Sequence, residues 1–281
     1  MYLGCFQSNG ALHRMDYADF AAIAFDIGYV TLDVPVLNDA AVKVARSLDM
    51  ALHATGSLTP PDLSTESDQQ AALTRQVTDA IDWASGHGIG VITHLLGKDM
   101  SLSGDDNIAV FKELYTPIAA HAESLNVRLA FENWPRNGTM LATTPEMWHA
   151  MFSAVPSPAL GLCYDPSHFV WQGIDWIQPI RDFADRIYHV HAKDTEILLD
   201  GRNAFGIYGR QLSGTGQSQW WRYRLPGYGE VNWFHFLDEL FQAGYDQALS
   251  VEHEDRVWAA TQETAVRGLR LSHQFLKPFI A

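Results

Sequence analysis

Short apolar runs alternate with longer stretches in which apolar residues recur three and four positions apart, and this alternation persists along the whole chain. The short runs fall at residues 2–6, 29–33, 50–53, 90–94, 128–131, 160–164, 186–191 and 248–252 and read as strands. The helical period is clearest at 65–85, 105–125, 233–243 and 259–276. Each strand-like run is followed by a segment able to form a helix, so the pattern predicts a parallel sheet. Eight such units predict an α/β fold closed into a (β/α)₈ barrel. The competing arrangement is an open doubly wound sheet, but the GxGxxG turn expected after its first strand is missing. No Pro/Gly/Ser-rich linker and no low-complexity tract divides the chain, and one domain spanning 1–281 is expected.

A barrel of this kind places its chemistry at the C-terminal ends of its strands. The residues that close the strand-like runs include Asp33, His53, His94, Glu132, Asp165, His191 and Glu252, all able to bind metal or move protons. The longest connection, about 194–231, contains Trp220, Trp221, Arg222, Tyr223 and Arg224. It is either a lid over the mouth or a surface excursion that packs its aromatics on the rim or on another subunit.

Glu132 ends an apolar strand in LAFENWP, where a carboxylate needs water, a cation or a metal to receive it. Asp165 in GLCYDPSHF, His191 in IYHVHAKD and Glu252 in LSVEHED repeat the situation on other strands. Singly, each carboxylate reads equally well as a helix N-cap or a strand-end salt bridge. Together at strand ends, barrel closure would gather them about one axis. Three carboxylates and an imidazole form a hard, oxygen-rich set that suits one Mn²⁺, Mg²⁺ or Co²⁺ better than a structural Zn²⁺.

Around that set, His53, His94, His168, Lys193 and Arg224 are candidates for holding substrate oxygens. The alternatives are satisfied structural histidines for His53 and His94, a surface-loop histidine for His168, and an ion pair with Asp194 or another acid for Lys193. His189 and Cys163 stand two residues before His191 and Asp165 and so point the same way, as interior filling.

Composition narrows the partners. A formal net charge of -14 over 281 residues disfavours nucleic acid and anionic membranes. Two cysteines supply no disulfide framework, and neither a signal segment nor a bilayer-length apolar run is visible, so a soluble cytoplasmic protein is expected. No glycine-rich phosphate cradle is evident, which disfavours a phosphorylated ligand.

In FENWP, CYDPSH, HVHAKD, LPGYGEVNW and LSVEHED the chain resembles the xylose-isomerase-like barrel superfamily of sugar isomerases and epimerases, which includes ketose 3-epimerases and inosose dehydratases. The resemblance covers nearly the whole chain. It implies one divalent ion, often Mn²⁺, on Glu132, Asp165, His191 and Glu252, and substrate contact by His168. It also implies a homo-oligomer, a dimer or tetramer. Apurinic endonucleases share the superfamily and bind several zinc ions, but LPGYGEVNW offers no Asp-x-His pair and the charge opposes DNA. The chain departs from the ketose 3-epimerases at Gly138, where they carry a second acidic residue. HVHAKDTEI with WWRYRLPG resembles a subgroup found with sugar oxidoreductases, some of whose members are lyases or isomerases of 3-keto sugars.

The function expected is metal-assisted removal of a proton next to a carbonyl, through an ene-diolate, with Glu132 and Glu252 as the bases. Returning the proton to the opposite face epimerises, and returning it to the neighbouring carbon isomerises. Loss of a β-oxygen substituent makes the protein a lyase on a 3-keto sugar or glycoside instead. A non-catalytic sugar-binding protein or partner subunit is the alternative from another class.

Overall fold

The computed structural model describes residues 1–8, 10–207 and 220–280. Eight parallel strands make one sheet: β1 (Tyr2–Phe6), β2 (Thr31–Asp33), β3 (Ala54–Leu58), β4 (Val91–His94), β5 (Arg128–Glu132), β6 (Leu160–Tyr164), β7 (Ile187–Ala192) and β10 (Ala248–Val251). Their order is β2-β1-β10-β7-β6-β5-β4-β3. Bridges Thr31↔Ala51 and Val34↔Thr55 join the two outer strands and close the barrel. Two further strands, β8 (Asp194–Ile197) and β9 (Trp221–Arg224), form a separate antiparallel pair.

The principal helices are α1 (Tyr17–Ile27), α2 (Asp39–Ser47), α3 (Ser67–Gly86), α4 (Gly104–Ser124) and α5 (Pro145–Ala154). They are followed by α6 (Pro166–Gln172), α7 (Gln178–Asp182), α8 (Leu199–Phe205), α9 (Trp233–Gln242) and α10 (Gln262–Leu276). None of the described helices is long and apolar enough to cross a membrane.

Strand alternation sorts the side chains into two layers. Leu129, Phe131, Leu160, Leu162, Tyr164 and Val190 meet the helices in the large outer core. Ala130 and Cys163, the residues between them, belong to a smaller cluster with Ala54 and Val91 that fills the barrel. Two residues beyond Ala130 comes Glu132, and two beyond Cys163 comes Asp165, so both carboxylates inherit the inward direction at the open end.

Helix ends follow local chemistry. The side chain of Ser103 caps α4. Thr261 and Thr264 make a reciprocal capping box, which starts α10 at Gln262, three residues later than the apolar period suggests.

One strand differs from its sequence expectation. The apolar run at 50–53 is the approach to the sheet, and β3 begins at Ala54. Its segment, ATGSL, is rich in Thr, Gly and Ser, which read as loop, yet it is paired to β4 and largely buried. His53 therefore precedes its strand and lies at the N-terminal end of the barrel, away from the mouth.

Candidate active site

The C-terminal ends of the strands open into a cavity of about 770 Å³ whose lining includes Phe6, Asp33, Leu58, Glu132, Lys193 and Glu252. Glu132, Asp165, His191 and Glu252 arrive from β5, β6, β7 and β10, four strands adjacent in the sheet. One ligand atom from each lies within 4.8 Å of all the others, and all four residues are buried.

Each member is held by its neighbours. The Asn133 side chain donates to the Asp165 carbonyl at 2.9 Å and accepts from the Asp165 backbone N–H at 2.9 Å, locking the ends of β5 and β6 side by side. Asp165 Oδ1 accepts from the Ser167 N–H at 2.8 Å as the N-cap of α6. Its other oxygen faces Lys193 Nζ at 3.0 Å and His168 Nε2 at 3.2 Å. The helix-cap and ligand readings of Asp165 thus coexist, one for each oxygen.

Glu132 Oε1 faces His168 Nε2 at 3.2 Å and His191 Nδ1 at 3.5 Å, while Oε2 accepts from Ser57 Oγ at 3.3 Å. His191 Nδ1 also faces Glu252 Oε2 at 3.3 Å. Neither of these contacts has hydrogen-bond alignment, so the imidazole nitrogen and two carboxylates point toward shared space.

Lys193 is only 1% exposed. Its ammonium lies 2.5 Å from Glu252, 3.2 Å from Glu254 and 4.5 Å from the centre of the Tyr223 ring. Glu132, Asp165, Glu252 and Glu254 thus outnumber the one lysine in a largely buried region. Such an excess of negative charge is costly unless a cation is shared among the carboxylates, and the donor set fits a divalent ion.

The same crowding shifts the titrations apart. Burial pushes the Glu132 carboxyl up, but His191, His168 and Lys193 outweigh it and hold the group well below the usual range. Burial raises Glu252, opposed by Lys193 and reinforced by Glu254 and Glu132. Burial lowers His191, yet Cys163, Glu132 and Glu252 carry it above its ordinary value.

His168 sits on the first turn of α6 with both nitrogens engaged. Nε2 faces two carboxylate oxygens at 3.2 Å, which can only accept, and these outweigh the more distant Lys193 Nζ at 3.5 Å, which assigns the proton to Nε2. Nδ1 then accepts from the Tyr223 hydroxyl at 3.0 Å. Tyr223 lies on β9, and the β8–β9 hairpin is tied down by Asp194. That carboxylate accepts from the backbone N–H groups of Thr195, Gly227, Gly229 and Val231 and from Trp233 Nε1, at 2.8–3.1 Å. Lys193 accordingly pairs with Asp165, Glu252 and Glu254 and leaves its sequence neighbour Asp194 to this structural task.

His168 and Lys193 therefore join the four-residue cluster, and three other expected substrate contacts do not. His53 Nε2 meets the Tyr188 carbonyl at 3.1 Å at the opposite end of the barrel. His94 ends β4, but its register partner is Phe131, which faces the helices. Its ring accordingly stacks on Phe131 at 4.9 Å and its Nε2 meets the Tyr115 hydroxyl at 2.6 Å, outside the barrel. Arg224 is drawn sideways to Asp255, at 2.8 Å, and to Glu196.

The sequence reading passed over Ser57, Glu254, Trp134, Trp171 and Arg136, all of which line the mouth. Glu254 follows Glu252 by two residues, and strand parity could have found it. Part of the 194–231 connection, residues 208–219, lies outside the described residues. Of the rest, Trp221 and Tyr223 line the cavity, so this connection contributes a wall to the mouth.

Residues 15–278 match the family model described as xylose isomerase-like TIM barrel, and the chain belongs to that family. The uncharacterised protein YfiH of Bacillus subtilis is 30% identical over 163 residues, 57% of this chain and 49% of that protein. The chain spans about half the length of the curated relatives it matches. Among solved structures, the IolI protein with a binding zinc atom overlays 100% of this chain and 98% of its own, with TM-score 0.73 and 15% identity. The 3-keto-D-glucoside 4-epimerase YcjR of E. coli overlays 99% of each chain with TM-score 0.75 and 12% identity. At such identities the structural likeness establishes the fold.

Proposed function

We propose that this chain is a divalent-metal-dependent sugar isomerase or epimerase that moves a proton on the carbon next to a carbonyl of an unphosphorylated keto-sugar. The observation that carries this reading is the convergence of Glu132, Asp165, His191 and Glu252, with ligand atoms within 4.8 Å of one another, two of them, Glu132 and Glu252, lining the mouth cavity. Family membership and the likeness to a zinc-bound protein and to a sugar epimerase support it.

The four residues would hold the ion, with Mn²⁺ favoured by their three carboxylates and one imidazole. When bound, it would polarise the substrate carbonyl and offset the charge developing on the neighbouring oxygen. The chain's own groups do the rest. Glu132 and Glu252 flank His191 Nδ1 at 3.5 and 3.3 Å, so one carboxylate can take the proton from carbon while the other returns one. Lys193 Nζ and His168 Nε2 supply N–H donors beside these carboxylates for substrate oxygens. Tyr223, by donating to His168 Nδ1, keeps the proton of that imidazole on the side facing the site.

The test is deuterium wash-in from D₂O, with metal-loaded protein and a panel of ketoses, 3-keto sugars and their glycosides. Exchange at one carbon next to the carbonyl, dependent on the metal and reduced at least about a hundredfold by Glu132→Gln, is expected. The accompanying product separates epimer, isomer and elimination. Absence of exchange with every sugar of the panel overturns the reading.

A further inference from the structure

The mouth cavity is chemically divided. Its floor consists of charged groups that suit hydroxyls and a carbonyl, whereas its lining also includes four large aromatic rings. Trp171, from the last turn of α6, and Trp221 and Tyr223, from β9, form one aromatic wall, and Trp134, from the loop after β5, lines the same cavity. Trp221 and Tyr223 are two apart on a strand and face the cavity together, while Arg222 and Arg224 between and beyond them turn to Glu196 and Asp255.

This wall is continuous with the floor. The Trp171 and Trp221 rings stack at 4.6 Å with only 2° between their planes. Trp221 meets the Tyr223 ring at 4.8 Å. Tyr223 in turn binds His168 Nδ1 at 3.0 Å and lies 4.5 Å from Lys193 Nζ. A ligand whose polar ring reaches the carboxylates therefore has its outer side along the indoles.

Size points the same way. About 770 Å³ lies in the upper part of the roughly 300–1,000 Å³ range that holds drug-sized ligands, more than one monosaccharide ring requires. A free monosaccharide is also hydroxylated around its periphery and leaves an aromatic wall poorly matched. An apolar ring face, either the C–H face of a second pyranose or an aromatic aglycone, matches it.

We propose that Trp134, Trp171, Trp221 and Tyr223 form an outer subsite for a second ring, so that the substrate is a glycoside of the reacting sugar and not the free sugar. This rests on the metal-and-carboxylate floor being the site of reaction.

The test is a binding titration that needs no turnover. Tryptophan fluorescence of the metal-loaded protein is followed against glucose, methyl β-glucoside, cellobiose and 4-nitrophenyl β-glucoside, with calorimetry as a second readout. At least one of the last two binds about tenfold or more tightly than methyl β-glucoside, in keeping with the strength of ring stacking. The better of the two identifies the second ring as sugar or aromatic aglycone. In Trp221→Ala that ratio collapses toward one, and in Trp221→Phe most of it returns. Metal content and thermal midpoint of both variants show whether the fold is kept, and Trp134→Ala reads the same ratio if Trp221→Ala does not fold. Equal binding of all four probes by the unmodified protein overturns the subsite, as does a ratio that survives in the folded alanine variants. Deuterium exchange on keto-sugars and their glycosides reports separately on the floor. Exchange without a second-ring preference removes the subsite alone, and the preference without exchange removes only the reaction assigned to the floor.

Discussion

Each end of the barrel carries a cavity lined by similar residue types, about 770 Å³ at the C-terminal mouth and about 620 Å³ at the N-terminal end. Glutamate, arginine and aromatic side chains line both. The difference lies in how they are satisfied. At the N-terminal end His53 meets a backbone carbonyl, Tyr188 donates to the Pro158 carbonyl and Arg128 lies over the Tyr188 ring at 4.5 Å. His53 and Tyr188 thus finish their bonding on nearby backbone carbonyls. At the mouth, carboxylates from several strands converge on one another around a single buried lysine. Unbalanced charge held together by the fold, and not residue type, marks the end where chemistry belongs.

The strongest way to break this comparison is to remove a ligand. Asp165→Asn and His191→Gln should each lower divalent-metal affinity by at least about a hundredfold, since even groups that only hydrogen-bond to a metal ligand are worth about 10–100-fold. Proton exchange on a keto-sugar should fall with it. Chelation should do the same to the unmodified protein and lower its thermal midpoint, because an ion that binds only the folded state stabilises it by mass action. Metal analysis after gel filtration decides this, and full metal content in either variant would detach these residues from the site.

A smaller effect, on stability, comes from Asp194. Five donors end on its carboxylate, and a Cβ on Gly229 would stand 2.4 Å from Asp194 Oδ1, so the turn is wrapped closely around the charge. Asp194→Ala leaves several buried N–H groups without an acceptor and should cost on the order of 3 kcal/mol. Denaturant unfolding measures it, and a loss below about 1 kcal/mol would show that water replaces the carboxylate easily. Asp194→Asn, which keeps one acceptor oxygen, should fall between.

The barrel was legible because its strands are buried on both faces and read as apolar runs, with β5, β6, β7 and β10 matching to within a residue. The cluster was legible for a related reason: a carboxylate that ends such a run has a limited set of roles. What failed was direction. His53 and His94 look alike as run-ending histidines, but strand β3 begins after the first, and parity turns the second toward Phe131 and Tyr115. The residues from turns and helices, Trp134, Arg136 and Trp171, follow no strand period, and only the packed fold assembles them with Trp221.

Next in size is a dependence on pH. Burial lowers His94 to about 4, and His53 and His253 are also driven to about 4 chiefly by burial. These groups are neutral when folded and titrate near 6.5 when unfolded, so the unfolded chain binds more protons between those values. Stability is therefore complete above about pH 6.5 and drains as pH falls toward 4. For His94 the loss between pH 7 and pH 5 is on the order of 2 kcal/mol. His94→Gln should thus show a larger deficit at pH 7 than at pH 5 in urea unfolding. Deficits that stay parallel at the two values would mean that His94 is not held neutral.

The smallest effect sharpens the comparison from the quiet side. Arg128 begins β5, the strand that Glu132 ends, so the two side chains sit at opposite ends of one element. Arg128→Ala removes a guanidinium from the face of Tyr188, a contact worth about 0.5–1 kcal/mol at a partly exposed position. The register of β5 is set by its backbone pairing to β4 and β6 and does not pass through that guanidinium. Exchange activity and metal content of Arg128→Ala should therefore stay within about threefold of the unmodified protein, and the thermal midpoint should fall by a few degrees at most. A hundredfold loss of exchange with metal retained would show instead that the N-terminal cavity takes part in function, and the two ends would have to be read as coupled.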